Sequence, residues 1–212
     1  MEALTGIVVF GDIVGSRRDS AGATIWLRDI VAELNDAYGD ARLADFAFTQ
    51  GDELQGLLGA HADPLQAVMR AALAAPGRRL RWAIVRGPVD PGDGPAIQRT
   101  GEAFVAARRA IETARASRDR LVFDLGDDDA DELVNAMAPA LIDMLDGLTP
   151  TQREVARLAL VDGLRQSEVA DTLGKRRATV SVAFARAKVV PLEQLAKAMR
   201  KVIAASGGDN RP

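Results

Sequence analysis

Leu4 to Phe10 is a run of apolar and β-branched residues with no charged interruption, the pattern of a buried strand. It ends at Gly11-Asp12-Ile13-Val14-Gly15-Ser16, where two glycines predict a turn. From Ser20 to Tyr38 apolar residues recur at helical spacing (Ile25, Ile30, Val31, Leu34), with Ser20 as the expected N-cap. Phe46 to Thr49 and Leu54 to Leu58 read as two short strands around a hairpin tip, Gln50-Gly51-Asp52-Glu53. Asp63-Pro64 opens a helix to about Ala75, Leu80 to Val85 is a strand, and Gly87 to Gly94 is a Gly- and Pro-rich loop. Thr100 to Ser117 predicts an Ala- and Arg-rich helix, Leu121 to Leu125 a strand, and Asp127 to Leu148 a helix with acids in its first turn, where the helix dipole favours them.

The resulting order, β-α-β-β-α-β-α-β-α, contains the split β-α-β unit of a ferredoxin-like sheet, which is mostly antiparallel with helices on one face. Beyond Gly147 and Pro150 the pattern turns entirely helical. Thr149 and its neighbours cap a helix to about Val161 with Val155, Leu158 and Ala159 inward, and Gln166 to Leu173 is a second, short helix. Gly174 supplies a turn, and Arg177 to Lys188 is a third helix with Val180, Phe184 and Ala187 on one side. Val189-Val190-Pro191 breaks it, and Leu192, Leu195, Met199 and Val202 mark a last amphipathic helix suited to dimer packing. The expected fold class is therefore α+β: a ferredoxin-like domain over residues 1–147, an all-α domain over 148–205, and a disordered tail over 206–212. No internal repeat is evident.

Composition adds constraints. At 48% hydrophobic and 27% charged the 212 residues suit a soluble globular chain with a real core. There is no cysteine, which excludes disulfides, thiolate metal sites and a cysteine nucleophile. The apolar start is too short for a secretory segment and no run reaches the ~18–20 residues that span a bilayer, so a cytoplasmic protein with no membrane partner is expected. The net charge of −3 hides an asymmetry: residues 150–212 hold twelve Lys and Arg against six Asp and Glu, net +6, while residues 1–149 hold fifteen against twenty-four, net −9. Every lysine lies in the later part. A basic segment behind an acidic one suggests different partners, the basic one suited to a polyanion, although solvated surfaces alone would give the same counts.

Two helices joined through a glycine turn are the layout in which the second enters the major groove of DNA. Leu148-Thr149-Pro150-Thr151-Gln152-Arg153-Glu154-Val155, Gln166-Ser167-Glu168-Val169-Ala170-Asp171-Thr172-Leu173-Gly174 and Ala178-Thr179-Val180-Ser181 resemble the DNA-binding domains of LuxR-type regulators and the promoter-reading domain of sigma factors. The resemblance implies double-stranded DNA as partner, with Lys175, Arg176, Arg177, Thr179, Ser181, Arg186 and Lys188 facing it. Lys and Arg would meet phosphates, and Arg176 or Arg177 would fork onto a guanine edge. The alternative is a helical bundle that only packs or dimerises.

At the acidic end, Asp12 and Asp52 fall where a β-α-β-β order brings two carboxylates to one sheet edge. Such a pair repels unless protons or a cation intervene, and hard oxygen ligands suit Mg²⁺ bridging to phosphates. Solvated turn residues are the plain alternative. Gly11 to Ser16, Gly51-Asp52-Glu53-Leu54, Arg81 to Val89 and Gly101 to Arg109 look like, in order, four landmarks of class III nucleotidyl cyclase domains. With the helical end behind them, the whole chain resembles the SatD family of bacterial proteins more closely still. The cyclase resemblance implies that Asp12 and Asp52 bind Mg²⁺ or Mn²⁺ with a nucleoside triphosphate, that Ile13, Val14, Gly15 and Ser16 face the phosphates, and that Arg108 and Arg109 take part. It also implies a homodimer formed through residues 1–149. Two departures bear on activity: Phe48 stands where a cyclase has its purine-selecting lysine, and Val105 where it has a transition-state asparagine. Loss of one such donor costs ~10²–10³ in rate, so binding without vigorous turnover is expected. His61 lies in a loop without metal partners, and Ser16 and Ser20 lack the base that a nucleophile requires. The readings left are a DNA-binding transcriptional regulator whose degenerate cyclase-like domain dimerises and senses a metal or nucleotide, a divalent-metal enzyme acting on nucleotides with an appended helix-turn-helix, and a purely structural dimerisation domain under a DNA-binding head.

Overall fold

A computed structural model describes residues 4–15, 20–49, 52–74, 77–117 and 119–207. Ser16, the tip residues Gln50 and Gly51, Ala75 and residues 208–212 of the expected tail lie outside the described residues, as does the Ser20 side chain.

The chain is mixed α+β. Its strands are β1 (Leu4–Ile13), β2 (Arg42–Phe48), β3 (Glu53–Gly59), β4 (Leu80–Val89) and β5 (Leu121–Asp124). They form one sheet in the order β2-β3-β1-β4-β5, antiparallel throughout except for the parallel β4–β5 pair. The first four strands thus reproduce the split β-α-β arrangement, and β5 extends it beside β4.

Three strand limits differ from expectation because pairing, not local propensity, sets them. β1 does not stop before Gly11: it runs on to Ile13, with Asp12 opposite Glu53 on one side and Arg81 on the other. β4 continues through Gly87 and Pro88, which pair with Gly6 and Thr5. Proline is tolerated there because β5 pairs only as far as Val85, leaving Pro88 at an edge. β2 starts at Arg42, four residues early, across two register shifts against β3.

The helices α1 (Ser20–Tyr38), α2 (Leu65–Ala74), α3 (Glu102–Ala116) and α4 (Asp128–Asp146) cover both faces of the sheet rather than one. The reason is visible in β1, whose residues from Gly6 to Ile13 are all buried and so need cover on each side. Ile7, Val9 and Ile13 pack with α1, α2 and α4, whereas Val8 and Phe10 pack with Ala103, Ala107 and Ile111 of α3. On α1 the inward face is Trp26, Leu27, Ile30, Leu34 and Tyr38, and the expected core residue Ile25 is 59% exposed. Gly56 on β3 is required by packing: a Cβ there would stand 2.1 Å from the Phe46 ring.

The helical end comprises α5 (Pro150–Leu160), α6 (Gln166–Thr172), α7 (Arg177–Arg186) and α8 (Val189–Ala205). Thr149 caps α5 through a reciprocal capping box with Gln152. The break before α8 falls at Lys188, held at φ 51, and Pro191 sits in the first turn where its missing N–H is not needed. The apolar face of α8 is not available to a second chain: Leu192, Met199 and Ile203 are buried with Leu141, Ile142 and Leu145 of α4 in the core that also holds the sheet. Two buried arginines stitch the regions together. Arg153 of α5 donates to the Ala72 carbonyl, and to that of Leu148 at 3.4 Å. Arg86 of β4 donates to the Ile203 carbonyl at 2.9 Å and the Ser206 hydroxyl at 2.6 Å, capping the C-terminus of α8. Burial lowers the pKa of both guanidinium groups from the usual range.

Candidate functional site

The end of the sheet where β1 leaves and β3 enters collects the charged residues that matter. Asp12 is 3% exposed, on the face that α3 covers. Its Oδ1 accepts from Arg115 Nη2 at 2.7 Å, and its Oδ2 accepts from Arg81 Nη1 at 3.1 Å and Arg115 Nε at 3.3 Å. Arg115 reaches down from the last turn of α3 and also donates to Glu53 at 2.8 Å and Glu112 at 2.5 Å. Hydrogen bonds first to Asp12 and then to Glu53 raise the pKa of Arg115 above its already high ordinary value, so it is a permanent cation. Arg108, two turns back along α3, lies 5.3 Å over the Phe10 ring and 3.9 Å from Glu53.

These contacts place each expected residue. Asp52 adjoins Asp12 through its backbone, its carbonyl accepting from the Ile13 N–H at 3.0 Å, but the side chain opposite Asp12 in register is that of Glu53. The Val14 N–H donates to the Arg79 carbonyl at 2.9 Å, so the donors of Ile13 and Val14 are both engaged within the chain, and Gly15 makes the turn at φ 76. Arg108 and Arg109 are exposed on α3. As placed, the Asp12 carboxylate is held by guanidinium groups rather than open to a divalent cation. Both carboxylate oxygens of Asp12 already face guanidinium, and among the described residues no three Asp, Glu or His side chains converge to hold a metal. Sequence reasoning did not identify Arg81, Arg115 and Glu53 as site residues. For Glu53 and Arg81 the signal is cross-strand register, which joins Asp12 to positions 41 and 69 residues away, whereas Arg115 reaches it from α3, 103 residues away.

At the helical end, Val155, Val169, Ala170 and Val180 form a small core joining α5, α6 and α7. Gly174, at φ 60, lets the chain turn so that the Lys175 N–H reaches the Ala170 carbonyl at 2.9 Å. This leaves one side of α7 free: Arg176, Arg177, Thr179, Ser181 and Arg186 are exposed, as is Lys188 beyond its end. None of these four cations has an ion-pair partner among the described residues. Lys175 is half-buried and lies 3.5 Å from Glu154. His61 is exposed in its loop, and no described helix is long and apolar enough to cross a membrane.

Comparison with known proteins adds the lineage. Among curated proteins none matches the chain. Two structures of a bacterial light-regulated adenylyl cyclase are similar to it at 16% identity, with TM-scores of 0.41 and 0.42, over 57% of this chain and 43% of theirs. This chain therefore matches less than half of those cyclases. A model described as the SatD family matches residues 6–175, from the third residue of β1 through all of α6, and the chain belongs to the SatD family.

Proposed function

We propose that this SatD-family protein binds duplex DNA through α7 and acts as a transcriptional regulator, with residues 1–149 pairing two chains. One observation carries the proposal: Arg176, Arg177, Arg186 and Lys188 stand exposed on or beside a single helix with no acid partner among the described residues, where the other arginines are largely spent on carboxylates and carbonyls within the chain. A cation left unpaired on a rigid helix gains by meeting phosphate, because counterions leave the duplex. Thr179 and Ser181 add hydroxyls that bond to phosphate or base edges, and the long pair between Lys175 and Glu154 is weak enough to yield to DNA. With α8 spent on α4, pairing of chains that would read two half-sites falls to the α+β unit.

The test is titration of a fluorescent duplex at two salt concentrations. Affinity should fall steeply with salt, and Arg176→Ala with Arg177→Ala should weaken binding and flatten the salt slope by about 2, roughly 0.9 per lost phosphate contact. Equal affinity of native and double-variant protein at fixed salt would remove α7 from the interface.

The alternative reading, Mg²⁺ or Mn²⁺ with a nucleoside triphosphate on Asp12 and Asp52, keeps the support of the backbone contact that brings Asp52 beside Ile13. It requires Arg115 to leave Asp12. A rise in melting temperature with nucleotide that needs metal and is lost in Asp12→Asn would establish it.

A further inference from the structure

A cavity of about 200 Å³ lies between the loop at residues 60–63, which leads from β3 to α2, and the last turns of α8. Ala62, Ile203 and Ala204 give it apolar walls, and Arg86 and Arg200 bring two guanidinium groups to it. Its volume is below that of sites for drug-sized molecules, which limits an occupant to a few non-hydrogen atoms.

The charge around this cavity is unbalanced. Asp63, the one acid lining it, is already held on both oxygens: Oδ1 accepts from the Leu65 N–H at 3.0 Å and Oδ2 from Arg200 Nε at 2.6 Å. Arg86, 9% exposed, meets neutral acceptors, the Ala60 and Ile203 carbonyls and the Ser206 hydroxyl. Its Nε is buried with no hydrogen-bond partner among the described residues. Asp131 of α4 favours its charge through space, with no ion pair between them. The negative end of α8 offsets part of the excess, but two guanidinium groups outweigh one carboxylate and a helix end worth about half a charge. A buried cation without an anion is costly, and a cavity lined by that cation is where an anion lowers the cost.

We infer that this cavity binds a small monocarboxylate with a short hydrocarbon chain, of the size of propionate or butyrate, and that the occupant strengthens the Arg86 link between the sheet and the end of α8. The carboxylate meets the two guanidinium groups, and the chain lies on Ala62, Ile203 and Ala204. Because Arg86 also holds the Ile203 carbonyl, whatever fixes its guanidinium fixes the last turn of α8.

The inference stands whether or not α7 touches DNA, since its readouts are stability and amide exchange in the full chain. The probes are formate, acetate, propionate, butyrate and inorganic phosphate, each at about 50 mM and compared with sodium chloride at the same ionic strength. For a ligand of about five non-hydrogen atoms a Kd of roughly 1–10 mM is within reach, so propionate or butyrate should raise the melting temperature by roughly 2–9 °C over chloride. Formate and phosphate, which lack the chain, should give less than about half of that. Amide exchange over residues 203–207 should slow by about 5-fold or more with the same two carboxylates. Ala204→Glu, at an exposed position that does not threaten folding, sets an acid four residues from Arg200 and should weaken binding by about 10-fold, whereas Ala204→Lys should preserve or strengthen it. Three results would overturn the inference: no carboxylate raising the melting temperature above chloride, phosphate doing as well as propionate, or the Ala204→Glu and Ala204→Lys variants responding alike.

Discussion

Arginines serve opposite purposes at the two ends of this molecule. Around Asp12, Arg81 and Arg115 are clamped at 2.7–3.3 Å on a carboxylate that is itself buried, while the two guanidinium groups keep part of their surface in water. Along α7, Arg176, Arg177 and Arg186 carry the same group into solvent with no ion-pair partner among the described residues. A buried guanidinium that loses its acid becomes an uncompensated charge, while an exposed one that loses nothing internal is free to be used elsewhere. Counting basic residues therefore says little about function until each is assigned a partner.

The comparison makes separable predictions. The largest concerns Asp12→Ala, which strands Arg115 and Arg81 and should lower stability by about 2–3 kcal/mol, reduced from the cost at a fully dry site because both arginines keep some contact with water. Chemical denaturation reads it, and DNA affinity of the folded fraction should be unchanged. Next, the Arg176→Ala, Arg177→Ala double variant should do the reverse, losing about 1–2 kcal/mol of DNA binding while its denaturation midpoint stays within about 0.5 kcal/mol of native. A swap of these outcomes would erase the distinction between the two ends. A smaller effect sharpens it: Thr149→Ala removes the capping box of α5, on which α7 packs, and should cost about 1 kcal/mol of stability with DNA binding weakened only through loss of folded protein.

The smallest effect is a pH dependence at Asp131. Burial raises its pKa, although its Oδ1 accepts from the Leu125 N–H at 2.7 Å. A raised folded-state pKa means that the native chain holds the proton more tightly than the unfolded one. The associated stability is fully present below the unfolded value, about 3.9, and is lost as pH rises through the folded value. Asp131→Asn, neutral at every pH, should therefore match native protein in acid and gain on it slightly toward pH 7. Melting curves of the two at acid and neutral pH check the sign.

Much of this architecture was legible because it rests on local signals. Thr149 three residues before Gln152 announces a cap, Gly174 announces a turn, and the alternation of strand and helix patterns gives the element order that the sheet displays. What was not legible depends on partners distant in sequence. Gly11-Asp12 reads as a turn by composition, yet it is strand because β3 and β4 pair with it on both sides. The Arg115 clamp joins residues 103 apart, and no periodicity reports it. The inward face of α8 was visible as apolar spacing, but whether it meets α4 or another chain is a matter of tertiary geometry. Ile25 shows the same limit on a smaller scale, since one step around α1 separates it from Trp26.

The Arg86 cap on α8 also has a consequence in time. Its acceptors lie 117 and 120 residues further along the chain. At typical synthesis rates of about 5–20 residues per second, roughly 6–23 s pass between the appearance of Arg86 and that of Ile203. Throughout that interval β4 can pair with β1, but among the described residues its guanidinium has one other hydrogen-bond acceptor, the Ala60 carbonyl at 3.3 Å in the finished fold. Water must stay at the end of β4 until the last helix arrives to expel it, so the sheet reaches its native packing only when the helical end docks.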